Sequence, residues 1–165
     1  MFGSGTGSGD TRPSATGHNR DVSRQREPGR GHYAHPERER RFLLCSPPVG
    51  LTDPSHIVDR YIDGTRLRLR QVTGEGPAVY KLGQKVRPNE DDPSLVMLTN
   101  MYLTADEYER LLALPATEVR KARYTLTAGQ DHSGVDVFED RLDGLVLAEA
   151  ELTARRCTNF RTCPA

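Results

Sequence analysis

The chain contains no tryptophan, and aromatic residues make up only 6% of it. Its mean hydropathy is -0.65. With apolar side chains this scarce, 165 residues leave room for one domain with a modest core. No apolar run approaches the roughly 20 residues that a membrane-spanning helix needs, so no membrane partner is expected. No apolar segment follows the N-terminus, and a secretory leader is not expected either. Neither sign of charge is in excess, since 23 Lys and Arg balance 23 Asp and Glu. Such a chain has no overall field to draw in nucleic acid, which is not expected as a partner. The three cysteines, Cys45, Cys157 and Cys163, have no C-x-x-C spacing. An odd count without an export signal points to reduced thiols in a cytoplasmic protein, with a Cys157–Cys163 disulfide as the minor alternative.

Several catalytic signatures are missing as well. His18, His32, His35, His56 and His132 show no H-x-x-x-H or mixed Cys/His spacing, which excludes the common zinc sites. There is no G-x-S-x-G, and nothing marks Cys45 as an activated nucleophile. No Walker A or G-x-G-x-x-G follows a strand. The run Gly3-Ser4-Gly5-Thr6-Gly7 has no strand before it and reads as linker.

Residues 1–35 are rich in Gly, Ser, Arg and Pro and nearly free of aliphatic residues. Such a segment cannot bury enough surface to offset its ordering entropy, so a disordered arm is expected. Its arginines (Arg12, Arg20, Arg24, Arg26, Arg30) are interspersed with Asp10, Asp21 and Glu27, which favours a solvated tail over an anion-binding one. Order is expected over 36–152, followed by an irregular tail at 153–165. Strand patterns run over about 37–45, 57–61, 66–72, 78–83, 95–103, 119–127, 135–138 and 144–152. Asp63-Gly64 is a hairpin turn signal, and 129–134 reads as a turn. Thr104-Ala105-Asp106-Glu107 fits a capping box that opens one helix, and Pro115 lies beyond its end. These strands, joined in antiparallel hairpins, and one helix give an α+β chain with a closed or nearly closed antiparallel barrel.

The strands carry a charge pattern. Glu37 and Glu39, then Arg41, precede Phe42-Leu43-Leu44. Arg66, Arg68 and Arg70 alternate with Leu67 and Leu69. Lys81 and Lys85 stand two steps either side of Gly83, Lys121 and Arg123 flank Ala122, Asp136 lies between Val135 and Val137, and Glu149 and Glu151 flank Ala150. Residues i and i+2 of a strand share a face. A solvated face usually mixes its signs, whereas here they divide by strand. Closed into a barrel with these faces inward, the chain would have one acidic wall and one basic wall. Carboxylates suit hard divalent cations, and converging Arg and Lys suit phosphate oxygens. Solvated strand edges or cross-strand ion pairs would leave the same letters.

In order, these blocks resemble the CYTH domain, or triphosphate tunnel metalloenzymes. Glu37-Arg38-Glu39-Arg40-Arg41 resembles its opening E-x-E-x-K signature. Arg66-Leu67-Arg68 and Lys81-Leu82-Gly83-Gln84-Lys85 resemble the next blocks, Lys121-Ala122-Arg123-Tyr124 its K-x-R-Y strand, and Val135-Asp136-Val137-Phe138 with Gly144 to Glu151 its closing acidic strands. The resemblance implies an eight-stranded antiparallel β-tunnel that binds a triphosphate-containing small molecule with Mg²⁺ or Mn²⁺. It implies Glu37, Glu39, Asp136, Glu149 and Glu151 as metal ligands. Arg66, Arg68, Lys81, Lys85, Lys121 and Arg123 would hold phosphates, with Glu37, Glu39, Arg41 and Lys85 at the catalytic centre. The expected activity is metal-dependent hydrolysis of inorganic triphosphate or a small organic triphosphate. A class IV-type adenylyl cyclase and a polyphosphate-binding module without turnover are the alternatives.

Two departures stand out. Arg41 occupies the signature lysine position and cannot serve as a proton acceptor near neutral pH. The helix and last strand that usually follow the E-x-E strand have no counterpart in 153–165, where Thr158-Asn159-Phe160-Arg161 is too short and Pro164 cannot donate to a ladder. An incomplete barrel, with an open seam beside the strand carrying Glu149 and Glu151, is therefore expected.

Overall fold

The computed structural model describes residues 28, 32–128 and 131–151. Most of the N-terminal arm and all of the 153–165 tail lie outside the described residues. Among the described residues there are eight strands: β1 (His35–Leu44), β2 (Leu51–Ile62), β3 (Leu67–Thr73), β4 (Val79–Val86), β5 (Leu95–Leu103), β6 (Ala116–Ala128), β7 (Asp131–Phe138) and β8 (Val146–Glu151). They close into an antiparallel barrel in the order β1-β5-β4-β3-β2-β6-β7-β8. One helix, α1 (Ala105–Leu111), separates β5 from β6, and a short 3₁₀ turn (Asp140–Leu142) separates β7 from β8.

The expected seam is absent. β8 pairs with β1 from Glu39↔Glu151 to Leu44↔Val146. β1 bridges two neighbours: residues 35–38 pair with β5 and residues 39–44 with β8. This long strand closes the ring with the eight strands that end at Glu151, so no further strand is needed.

Two strands are longer than their sequence signals. Asp53 and Pro54 interrupt the pattern before His56, yet β2 begins at Leu51. A register shift between Thr52 and Ser55 on the β6 ladder absorbs the interruption, as bulges do where a proline must sit in a strand. Likewise 131–134 are not turn residues. They pair with β6, from Ala128↔Asp131 to Thr125↔Gly134, and Ser133 is buried. Polar letters in a short strand mimic a loop when only one face needs to be apolar. The Asp63-Gly64 turn lies between β2 and β3, with Gly64 at φ +70°, a conformation that glycine adopts without strain.

The helix is capped as its letters require. Glu107 N–H donates to Thr104 Oγ1 at 3.3 Å, and Thr104 N–H donates to Glu107 Oε2 at 2.8 Å. Tyr108 is buried, its ring 4.6 Å from that of Tyr80 on β4. Arg60 on β2 ties down the segment after the helix, donating to the carbonyls of Leu112 (3.1 Å) and Leu114 (3.3 Å). A second apolar cluster joins Leu44, Val135, Val146 and Ala148, with Phe42, Leu51, Leu126 and Val137 packed against it. Val135 and Ala148 alternate with Asp136 and Glu149, so this cluster lies on the sheet face opposite those acids. Other apolar side chains, Leu98, Val119, Phe138 and Leu147, face the interior of the barrel. Among the described residues, no helix is long and apolar enough to cross a membrane. Cys45 is disulfide-bonded, which corrects the expectation of reduced thiols. Spacing in sequence does not report proximity in space, and the cysteines no longer argue for a reducing compartment.

Candidate functional site: a charged tunnel

The inward faces enclose a cavity of about 510 Å³. Alternation puts the chemistry there: Arg68 and Arg70 face inward while Leu69 between them is 1% exposed on the other face. Among the residues singled out in the sequence, Glu37, Glu39, Arg41, Arg68, Lys81, Lys85, Lys121, Arg123, Asp136, Glu149 and Glu151 all line this cavity. Arg66 does not. It is exposed and precedes β3, outside the lining.

Around the ring, the acids concentrate on the adjoining strands β1 and β8. Glu39 stands directly opposite Glu151, and Arg41 opposite Glu149. Next comes β5, with Leu98 and Asn100, then β4 with Lys81 and Lys85, β3 with Arg68 and Arg70, and β2 with Asp59 and Tyr61. Lys121 and Arg123 on β6 and Asp136 on β7 complete the circuit.

Most of these charges are already paired. Arg41 Nε lies 2.8 Å from Glu149 Oε1, and its Nη2 3.0 Å from Glu39 Oε1. Lys85 Nζ lies 3.0 Å from Glu39 and 3.5 Å from Glu37. Asp136 accepts from Lys121 Nζ at 2.5 Å and from Arg123 Nε and Nη2 at 2.6 and 2.7 Å, and Arg123 also pairs with Glu149. Lys121 Nζ lies over the Phe138 ring, 5.2 Å from its centroid. Burial opposes ionisation of Asp136, but the Arg123 hydrogen bond and the Lys121 charge outweigh it and hold the carboxyl below its ordinary value. Glu149 is held low in the same way: Arg123, with help from Arg41, overcomes burial. For Lys121 the balance reverses. Burial, with Arg123 and Arg70 nearby, pulls its ammonium below the usual value despite Asp136.

Asp59 and Arg70 also line the site: Arg70 is part of the basic pattern, but the resemblance implies a role for neither. Arg70 extends the Arg66/Arg68 alternation by one step. Asp59, in Val58-Asp59-Arg60-Tyr61, carried the same signal as Asp136, a lone acid on a partly apolar strand. It is 1% exposed. Asn100 was also missed. Its Oδ1 would lie 2.7 Å from a Cβ built on Gly83, and Arg68 Nη2 3.9 Å from it. The missing side chain at Gly83 makes room for the Asn100 amide, while Arg68 lies at ordinary contact distance.

No known protein family matches the sequence, and no curated protein matches it. The fold is similar to that of PH1819 from Pyrococcus horikoshii OT3, at 15% identity over 72% of this chain and 80% of that one, with a TM-score of 0.51. It is also similar to the inorganic triphosphatase NE1496 (22% identity, 70% and 73% of the two chains, TM-score 0.45). A candidate adenylate cyclase from Bacillus halodurans is similar too (14% identity, 74% and 83%, TM-score 0.49). The fold shared with PH1819 is a closed eight-stranded antiparallel barrel, and in this chain its lumen is lined with charge.

Proposed function

We propose that the protein hydrolyses a triphosphate, either inorganic or a small organic one, inside this tunnel with the help of Mg²⁺ or Mn²⁺. One observation carries the reading. One cavity gathers four glutamates on adjoining strands, with Lys121 and Arg123 beside them and Arg68, Arg70 and Lys81 across from them. A triphosphate carries about four negative charges, and phosphoryl transfer is mostly a matter of positioning and neutralising them.

The donor set fits a hard cation, being carboxylate throughout, with Glu39 and Glu151 facing each other across one ladder. Glu37, Glu39, Glu149 and Glu151 would hold the ion. Among the described residues they do not form a ready cluster of three, because Arg41, Lys85 and Arg123 engage them. Asp136 is a weaker candidate, since both its oxygens accept from Lys121 and Arg123. When bound, the metal supplies charge neutralisation and a more acidic water. Arg68, Arg70 and Lys81 supply N–H donors to phosphate oxygens. Arg41 neutralises and orients but holds its proton, so proton transfer falls to another group. Binding without turnover is the second reading, favoured by the pairing of Arg41 with both Glu39 and Glu149.

The test is phosphate release from inorganic triphosphate, ATP and thiamine triphosphate, with and without Mg²⁺ or Mn²⁺. Metal-dependent release that Glu37→Ala or Glu151→Ala abolishes, in a protein that still folds, supports the hydrolase. Cyclic AMP from ATP selects the cyclase, and tight binding without release selects the binding module. Unchanged turnover in both variants overturns the metal assignment.

A further inference from the structure

Asp59 is an acid placed in the middle of the cationic wall, and neither metal binding nor phosphate binding uses it. Its neighbours around the barrel are Arg70 on β3 and Val119 on β6. The metal-binding glutamates lie on β1 and β8, across the ring. Arg70 grips it side-on, with Nε donating to Oδ1 at 2.6 Å and Nη2 to Oδ2 at 2.7 Å. Arg68 Nε is 3.4 Å from Oδ1, an ion pair too long for a strong hydrogen bond. An anion buried beside a polyanion site weakens that site by repulsion. Its presence there needs a compensating gain.

We infer that Asp59 is a positioning residue: it fixes the Arg70 guanidinium, and through charge the Arg68 guanidinium, as a rigid fork aimed at phosphate oxygens. This rests on the reading of the tunnel as a triphosphate site. The donor arithmetic supports it. A guanidinium has five N–H donors. Asp59 occupies two on Arg70, through Nε and Nη2, which leaves three and fixes the plane. Among the described residues Arg68 donates no hydrogen bond and keeps all five. A free arginine loses rotamer entropy when it takes up phosphate, while a pinned one has already lost it. Asp59 is itself ionised for this role: burial opposes its charge, but Arg70, Arg68 and Lys121 hold its carboxyl below the usual value.

The sign of one measurement separates this role from the simpler ones. If Asp59 only offsets positive charge, Asp59→Asn leaves the tunnel more cationic and tightens inorganic triphosphate. If it positions, Asp59→Asn loosens triphosphate about tenfold despite the extra positive charge. Leu69→Val is the stability control, on the same wall but facing away from the tunnel. Calorimetric titration of inorganic triphosphate into each folded variant is the experiment. Support requires weaker binding by Asp59→Asn, binding by Leu69→Val like that of the parent, and less than about a twofold further effect of Asp59→Asn once Arg70 is alanine. Equal or tighter binding by Asp59→Asn overturns the inference, as does an equal loss in Leu69→Val. Should Asp59→Asn not fold, Arg70→Lys keeps the charge but removes the fork; it must lose affinity similarly, and parental affinity overturns the inference. If the parent protein does not bind triphosphate, the functional reading fails on its own. The Arg70 Nε–H resonance then decides the positioning role. A single exchange-protected signal in the parent that is lost in Asp59→Asn sustains it, and no difference between the two overturns it.

Discussion

Two walls of the tunnel both carry cations but pair them differently. On β2, β3 and β4, one buried acid, Asp59, faces Arg68, Arg70 and Lys81, so cations outnumber acids. Lys81 has no carboxylate partner among the described residues, and its ammonium lies over the Tyr102 ring, 4.9 Å from the centroid. From β6 through β7 and β8 to β1, and on to Lys85 of β4, charges alternate without a break: Lys121, Asp136, Arg123, Glu149, Arg41, Glu39, Lys85. The first wall has donors to spare and receives an anion with little rearrangement. On the second every cation is already paired with a carboxylate, so its cations are saturated. A metal or phosphate arriving there must exchange existing ion pairs, so its net gain is smaller than its gross contacts. Tight binding is therefore expected from β3 and β4, and stability from β6 to β1.

The largest expected effect breaks the saturated wall. Asp136→Ala strands Lys121, which is 7% exposed, together with one face of Arg123. Removing one partner of a buried pair costs about 3–5 kcal/mol, to be read from denaturant melts of the metal-free protein. Asp59→Ala should cost less, because the side chains of Arg68 and Arg70 are 16% and 14% exposed against 8% for Lys121. Equal losses would show that the two walls do not differ in the way their pairing indicates.

Acid sharpens the same contrast. Asp59, Asp136 and Glu149 have carboxyls held below their ordinary values. A depressed carboxylate contributes stability that is complete above its unfolded pKa and is lost as pH falls through the folded one. Stability should be flat with respect to these groups above about pH 5 and fall below about pH 4. Two of the three lie on the saturated wall, so Asp59→Asn should leave most of that acid sensitivity in place and Asp136→Asn should remove more of it. Thermal melts from pH 3 to pH 7 measure both.

Lys81→Ala tests the open wall. With no carboxylate released, it should leave the melting temperature nearly unchanged while weakening triphosphate about tenfold or more, the value of a charge-assisted contact. A large stability loss would mean that Lys81 braces the barrel through Tyr102 instead.

Much of this plan was legible in the sequence. Alternation of charge with Leu67, Leu69, Val135 and Val137 reports a two-sided strand, and period two survives any tertiary context that keeps the strand. The capping box at Thr104 is equally local. Closure was not legible, because it depends on β1 being long enough to serve two neighbours, and pairing partners leave no mark in either strand alone. The start of β2 was hidden by Asp53 and Pro54, which a bulge accommodates. Pairing within the tunnel was hidden for a similar reason. Glu39 and Arg41 look like a metal ligand and a catalytic cation in the sequence, and only the fold shows them bonded at 3.0 Å.

Arg66 is where the alternation and the structure diverge, and it carries the smallest expected effect. It shares the parity of Arg68 and Arg70, yet β3 begins at Leu67, one residue later. Before the ladder starts, strand parity no longer fixes direction, and Arg66 is exposed outside the cavity lining. Its charge reaches a phosphate in the tunnel only across solvent, where a Debye length of about 8 Å at physiological salt attenuates it. Arg66→Ala should change stability by less than about 0.5 kcal/mol and triphosphate affinity by less than about twofold at that salt, with a somewhat larger effect at low ionic strength. The titrations that serve Lys81→Ala measure it. A tenfold, salt-insensitive loss would place the Arg66 guanidinium on the phosphate and carry the basic wall one residue beyond the strand.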